Sequence, residues 1–151
     1  MRPSHGQPIL IIEDSDDDYE ATLRALKREG PLANPILRCE TGREALDYFA
    51  AMGTDERPRP GLVLLDLNLP GIDGREVLTR IKGDPRTARI PVVILTTSDD
   101  DWDITRCYEA GANTYIKKPV TLEGFFVVLK TLREYWLEVA LLPRDSAEEG
   151  G

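Results

Sequence analysis

The sequence has few cysteines and no long apolar run. Its two cysteines, Cys39 and Cys107, lie in amphipathic segments, so a disulfide framework is not expected and a reducing compartment fits. No apolar run approaches the roughly 18 residues that a membrane-spanning helix needs. Residues 1–7 contain one arginine and no apolar core, so we do not expect them to form a signal peptide. These absences predict a cytoplasmic protein that does not interact with membranes.

Basic charge is also scarce. The chain has 19 Lys and Arg residues against 27 Asp and Glu residues, a net charge of -8, and no basic cluster. Direct nucleic-acid binding through a basic face is therefore not expected. Acidic residues gather at 16–18 and 99–103, where they suit the positive ends of predicted helices, and we interpret them as helix-start charge. Asp14 differs from these acids because it has expected partners elsewhere in the chain.

The length and the apolar pattern predict one α/β domain. A chain of 151 residues with 41% apolar content can build a single core, which we expect over residues 1–143, with a disordered tail over 144–151. Strand and helix patterns alternate five times. The predicted strands are residues 8–13, 35–39, 62–66, 90–96 and 114–118. The predicted helices are residues 16–29, 41–52, 74–82, 99–110 and 121–142.

Continuous apolar strands that alternate with helices indicate a parallel sheet covered on both faces. We expect the flavodoxin-like strand order 2-1-3-4-5, which places the first and third strands side by side. Ligands of such sheets bind outside the carboxyl ends of the strands. Polar residues at those ends should therefore converge on one pocket.

Polar residues with useful chemistry follow the strands in a fixed order: Glu13, Asp14, Asp66, Asn68, Thr96 and Lys118. Two carboxylates about 4 Å apart repel by roughly 4 kcal/mol at an effective dielectric of 20. A divalent cation offsets that repulsion, and an oxygen-only acidic pocket suits Mg2+ or Mn2+.

We expect the metal ligands to be carboxylate oxygens of Asp14 and Asp66 and the main-chain carbonyl of Asn68, with Glu13 holding a metal-bound water. Asp66 would then act as the nucleophile toward phosphorus. Lys118 would supply a fixed positive charge and Thr96 a hydroxyl to the transferring group. This set suits phosphoryl transfer to an aspartate.

The order and spacing of these residues resemble response-regulator receiver domains over nearly the whole chain. The turn at 69–74 is similar to the one that follows the phosphoacceptor in that family. The resemblance implies phosphorylation of Asp66 by a sensor histidine kinase. It also implies a switch formed by Thr96 and Tyr115 that acts on the face of helix 4, strand 5 and helix 5. Such a protein signals and is not an enzyme, apart from self-phosphorylation and slow autodephosphorylation.

A narrower resemblance concerns the stand-alone regulators that serve bacterial and cyanobacterial phytochromes. It is carried by residues 42–49, residues 95–98 and the Tyr135-Trp136 pair. It implies a phytochrome-type kinase as the partner, and a downstream phosphotransfer protein is a further expected partner. Val120 follows Lys118-Pro119 where many receivers have phenylalanine, a departure that touches no catalytic group.

Some of these residues would also suit other functions. Each motif taken alone is ordinary: strand-end acids often cap helices, and a single lysine is usually solvated. A phosphatase of the haloacid-dehalogenase type also uses an aspartate nucleophile, but it needs a second Asp where this chain has Asn68. A degenerate scaffold is not indicated, because every expected active-site group is present. The sole histidine, His5, has no predicted helix around it and is not expected to be a phosphodonor.

The last predicted helix suggests a homodimer. At 1.5 Å per residue, residues 121–142 would form a helix about 33 Å long, longer than the sheet needs. One apolar stripe must face the sheet, and a second set has no evident cover: Val128, Tyr135, Val139 and Leu142. We expect a two-fold interface there. In the alternative, residues 141–143 fold back over their own domain.

Overall fold

The computed structural model describes residues 6–143, which form a five-stranded parallel sheet in the order β2-β1-β3-β4-β5. The strands are β1 (Ile9–Ile12), β2 (Ile36–Cys39), β3 (Leu62–Leu65), β4 (Val92–Thr96) and β5 (Thr114–Lys117). The helices are α1 (Asp16–Lys27), α2 (Gly42–Ala50), α3 (Gly74–Gly83), α4 (Asp101–Glu109) and α5 (Leu122–Leu132). The predicted flavodoxin-like fold is confirmed. The tail expected over 144–151 lies outside the described residues.

The register of the sheet places the functional strand ends beside one another. Ile12 pairs with Leu65 across β1 and β3, so Glu13 and Asp66 leave adjacent strand ends at the same level. On the other side of β3, β4 pairs with β5 so that Thr96 lies opposite Lys117. The residue after Lys117 is Lys118, which therefore leaves the sheet two strands away from Asp66.

Two apolar cores cover the two faces of the sheet. On one face, α1 and α5 pack through Leu26 and Leu129. On the other face, α2, α3 and α4 pack through residues that include Phe49, Leu78 and Cys107. β1, β3 and β4 are buried along their whole length, which is why their sequences are continuous apolar runs and do not alternate.

The helix starts follow side-chain capping. Ser15 accepts a hydrogen bond from the backbone N–H of Asp18 at 3.2 Å and so begins α1. Thr121 accepts from the N–H of Gly124 at 3.0 Å and begins α5. In the described part of the chain, none of the helices is long and apolar enough to cross a membrane.

The predicted helix over 121–142 is confirmed as far as Val139, but it is not α-helical throughout and it ends three residues early. The α-helix ends at Leu132, continues as a π-helical segment over Arg133–Val139, and the chain is extended at Ala140. The Arg133 guanidinium donates to the main-chain oxygens of Leu26 and Gly30 at 2.6 and 2.7 Å, which ties this segment to the end of α1. Leu142, beyond the π-helical segment, is only 8% exposed. The main-chain oxygen of Pro143 accepts hydrogen bonds from Gln7 and Arg59 at 3.4 Å each. Leu142 and Pro143 therefore fold back over their own domain, as in the alternative interpretation, whereas Leu141 stays 68% exposed.

Candidate functional site

Four of the predicted site residues are buried together at the carboxyl edge of the sheet. Glu13 follows β1, Asp66 follows β3, Thr96 ends β4 and Lys118 follows β5. Each is less than a tenth exposed. All four are polar or charged, so the fold bears the cost of burying them, which is typical of a functional site.

Lys118 joins the strand ends through its ammonium group. Nζ donates to Oε1 of Glu13 at 2.7 Å, to Oδ2 of Asp18 at 2.7 Å and to Oδ2 of Asp66 at 2.9 Å. Burial by itself lowers the pKa of Lys118, but the hydrogen bonds to Asp18, Glu13 and Asp66 outweigh it and raise the pKa. Lys118 therefore carries a fixed positive charge beside Asp66.

For Glu13, unlike Lys118, the effect of burial on the pKa outweighs that of the hydrogen bonds. Burial raises its pKa to about 7, against the opposing effect of the hydrogen bond from Lys118. Its Oε2 accepts a hydrogen bond from the N–H of Ser15 at 3.2 Å, which fixes the carboxylate at the start of α1. Arg38 donates through Nε and Nη2 to the main-chain oxygen of Glu13 at 3.1 and 3.0 Å. The end of β1 is thus held rigidly from β2.

The loop after β3 fixes the Asp66 carboxylate. Oδ1 of Asp66 accepts a hydrogen bond from the backbone N–H of Asn68 at 3.0 Å, while Oδ2 faces Lys118. The Asn68 side chain donates through Nδ2 to Oγ1 of Thr96 at 3.4 Å, which links this loop to β4. A Cβ on Gly74 would lie 2.2 Å from the main-chain oxygen of Asp66. Glycine is therefore required where α3 begins beneath the loop.

Three carboxylates gather around the Lys118 ammonium. Oxygens of Glu13, Asp18 and Asp66 all lie within 4.8 Å of one another, and each of these residues binds Lys118 through one carboxylate oxygen. Carboxylate oxygens that Lys118 does not use are donors of the kind that fits Mg2+ or Mn2+. Asp14, predicted as a ligand, is exposed, and its carboxylate lies outside this cluster. The direct metal-binding role of Asp14 therefore stays a prediction.

Asp18 belongs to the site through its contact with Lys118, although the sequence pattern predicts only helix-start charge for it. The signal was present in the helical spacing. Asp18 lies four residues before Thr22 and seven before Ala25, and both of those residues are buried on the face of α1 that packs against the sheet. The neighbours of Asp18 behave differently: Asp16 pairs with Arg38 at 2.9 Å.

Tyr115 lies on β5 beside the loop that follows β4. Its hydroxyl donates to the main-chain oxygen of Ser98 at 2.9 Å. The Ser98 hydroxyl donates to Oδ2 of Asp103 at 2.8 Å, and Asp103 accepts two hydrogen bonds from Arg75 at 2.7 Å each. The predicted switch residues therefore border a polar chain that links α3, α4 and β5.

The residues predicted for a dimer interface divide into two groups. Tyr135 and Val139 are exposed, by 54% and 67%. Val128 is half-buried against the core beneath α1 and α5, and Leu142 is buried. The expectation that Leu142 lacks intrachain cover is wrong, because the chain after Ala140 is extended and Leu142 and Pro143 return to the domain.

The chain is similar to known proteins over most of its length. Residues 9–130 match the response regulator receiver domain. Response regulator Rcp1 of Synechocystis sp. is 40% identical over 136 residues, which cover 89% of this chain and 92% of Rcp1. The crystal structure of the Mn2+-bound form of response regulator Rcp1 superposes with a TM-score of 0.85 at 37% identity, over 91% of this chain and 99% of that chain.

Two further structures are similar. The phosphorylated cyanobacterial phytochrome response regulator RcpA gives a TM-score of 0.85 at 39% identity, and the match covers 92% of this chain and 99% of that one. The bacteriophytochrome response regulator AtBRR gives a TM-score of 0.68 at 42% identity, covering 89% and 97%.

Proposed function

The chain belongs to the response regulator receiver domain family, and we propose that it accepts a phosphoryl group on Asp66 from a phytochrome-type sensor histidine kinase. The observation that carries this proposal is the Lys118 ammonium, which lies 2.9 Å from the buried Asp66 carboxylate and 2.7 Å from Glu13. The buried Thr96 is linked to the Asp66 loop through the side chain of Asn68. In the proposal, Asp66 would be the nucleophile, Lys118 the fixed positive charge and Thr96 the hydroxyl donor.

In the proposed reaction, an Asp66 carboxylate oxygen forms a bond to phosphorus while the phosphorus–nitrogen bond of the donor phosphohistidine breaks. The electron pair of that bond stays on the imidazole nitrogen, which takes up a proton. The Lys118 ammonium, which donates to Asp66 before the reaction, then donates to a phosphoryl oxygen, and the Thr96 hydroxyl donates to a second phosphoryl oxygen. The Asn68 N–H keeps the Asp66 side chain oriented through Oδ1.

The residues that would hold Mg2+ or Mn2+ are Glu13, Asp14, Asp66 and the main-chain carbonyl of Asn68. Such an ion supplies positive charge that neutralises the oxygens of the transferring group. Support comes from the carboxylate cluster around Glu13 and Asp66 and from the Mn2+-bound form of the similar protein Rcp1.

We further propose that phosphorylation signals through the face of α4, β5 and α5. Asn68 connects the Asp66 loop to Thr96, and Tyr115 connects β5 to the loop after Thr96. A movement of Thr96 toward the phosphoryl group would disturb both links. The protein would work in the cytoplasm as a homodimer, with Tyr135 and Val139 in the interface, and could pass its phosphoryl group to a downstream phosphotransfer protein.

A phytochrome-type kinase is supported by the likeness to RcpA and AtBRR, which are phytochrome and bacteriophytochrome response regulators. The test is phosphotransfer to Asp66 from candidate photoreceptor kinases under red and far-red light. We expect the transfer rate to depend on the light colour. Equal or faster transfer from an unrelated histidine kinase would leave the general receiver function and remove the phytochrome assignment.

A further inference from the structure

Lys118 must hold a long side chain in one place. It leaves the end of β5, and its ammonium reaches Asp66 at the end of β3, with β4 between the two strands. A lysine side chain loses about 2 kcal/mol of rotamer entropy when it is fixed. The ammonium has three N–H groups, and partners fixed to the scaffold can hold it in position through them.

The three acceptors of Lys118 come from three different elements. Glu13 follows β1, Asp66 follows β3, and Asp18 lies in the first turn of α1. Asp66 is the group that changes during phosphoryl transfer, because one of its oxygens becomes part of the new bond. Only Glu13 and Asp18 are unaltered by the reaction.

The backbone of Asp18 is itself fixed. Its N–H donates to the capping oxygen of Ser15 at 3.2 Å, and its carbonyl accepts from the Thr22 hydroxyl at 2.8 Å. The side chain is 45% exposed, yet its carboxylate lies 2.7 Å from an ammonium whose own side chain is 6% exposed. Asp18 therefore presents its charge from a rigid helix turn to a buried partner.

From this geometry we propose that Asp18 is a positioning residue: it takes the third N–H of Lys118 and keeps the ammonium directed at Asp66 before and after phosphoryl transfer. The inference rests on the proposed phosphoacceptor role of Asp66. It gives Asp18 a function that the metal site does not require, because the effect passes through Lys118.

The test compares Asp18→Ala, Asp18→Asn and Asp18→Glu with the wild type in phosphorylation by acetyl phosphate at saturating Mg2+. Asp17→Asn is the matched control, since Asp17 is an exposed acid in the same helix turn and its loss changes the net charge equally. Mass spectrometry follows the phosphorylated fraction over time. The maximal rate and the half-saturating donor concentration are obtained from these time courses.

We expect Asp18→Ala to lower the maximal rate by about tenfold, which corresponds to the loss of one charge-assisted hydrogen bond. Asp18→Asn should lose less because its amide oxygen can still accept, and Asp18→Glu should recover part of the rate. The half-saturating concentration should change no more than in Asp17→Asn, whose maximal rate stays that of the wild type.

Several results would overturn the positioning role. One is an unchanged or increased maximal rate in both Asp18→Ala and Asp18→Asn. Another is full recovery of the Asp18→Ala rate when Mg2+ is raised above the concentration that saturates the wild type, which would make Asp18 a metal ligand only. A wild type that takes up no phosphate in the same assay would instead contradict the proposed function, so the two failures can be told apart.

Discussion

The ion pair between Arg75 and Asp103 allows a quantitative prediction about stability near the proposed switch. Asp103 lies in the first turn of α4 and is 7% exposed, and Arg75 lies in the first turn of α3. The pair has two parallel hydrogen bonds of 2.7 Å, and Ser98 adds a third to the same carboxylate at 2.8 Å. The structure therefore predicts that Asp103 stabilises the contact between the two helices.

The expected magnitude follows from these contacts. Asp103→Asn removes the charge from hydrogen bonds that are worth about 1.5–3 kcal/mol each when charged, but Arg75 is a third exposed and keeps Asp73 as a partner. We therefore expect a loss of about 2 kcal/mol in the free energy of unfolding at neutral pH. For a chain of this size, that loss lowers Tm by about 4–8 °C.

The pH dependence has a definite sign. The hydrogen bonds from Arg75, with a smaller contribution from Ser98, lower the pKa of Asp103 below its ordinary value of 3.8, against the opposing effect of burial. A carboxylate whose pKa is lowered by folding stabilises the folded state above its unfolded pKa. That contribution is lost as the pH falls through the folded pKa. The difference between wild type and Asp103→Asn should thus be full at neutral pH and shrink below pH 3.8.

Urea unfolding of both proteins at neutral and acidic pH measures this difference. The matched control is Asp101→Asn, which removes an exposed acid from the same helix turn. The double variant Arg75→Gln/Asp103→Asn should lose less stability than the sum of the single losses, because the partners act as a pair. If Asp103→Asn lost no more stability than Asp101→Asn, the reasoning about this contact would be refuted.

Three further predictions follow from the site and the last helical segment. Mg2+ at ten times its dissociation constant should stabilise the wild type by about 1.4 kcal/mol in thermal unfolding. Asp14→Ala should lose this gain, and a full Mg2+ response in the variant would contradict the role of Asp14 as a metal ligand. Without metal, the stability that the raised pKa of Glu13 gives should be present below pH 4.5 and be lost as the pH rises through about 7, and Glu13→Gln should flatten that profile in urea unfolding. Sedimentation should show a wild-type dimer that Tyr135→Glu/Val139→Glu converts to monomer; a wild-type monomer at tens of micromolar, or an unchanged dimer in the variant, would exclude this interface.

Much of the fold could be predicted from the sequence because the buried strands are continuous apolar runs with polar residues directly after them. The parallel topology then brings Glu13 and Asp66 to one edge, and the position of Lys118 after β5 follows from the same pattern. These inferences need only periodicity and the rule that strand ends meet.

Two features could not be obtained in this way. The partnership of Asp18 with Lys118 depends on the angle at which α1 leaves the sheet, and an acid in a first helical turn is usually explained by the helix dipole alone. The change from α-helical to π-helical backbone begins at Arg133, which donates long-range hydrogen bonds to the main-chain oxygens of Leu26 and Gly30, and no local pattern of apolar residues records such bonds. Tertiary contacts therefore decided both outcomes.

The central claim is that Asp66 is the phosphoacceptor, and the most direct measurement is mass spectrometry of the protein after incubation with acetyl phosphate and Mg2+. The wild type should gain a single phosphate that is labile to base and is located on Asp66. It should gain none when the metal is chelated, and Asp66→Asn should gain none under any of these conditions. Equal labelling of Asp66→Asn, or labelling of the wild type at another residue, would contradict the account.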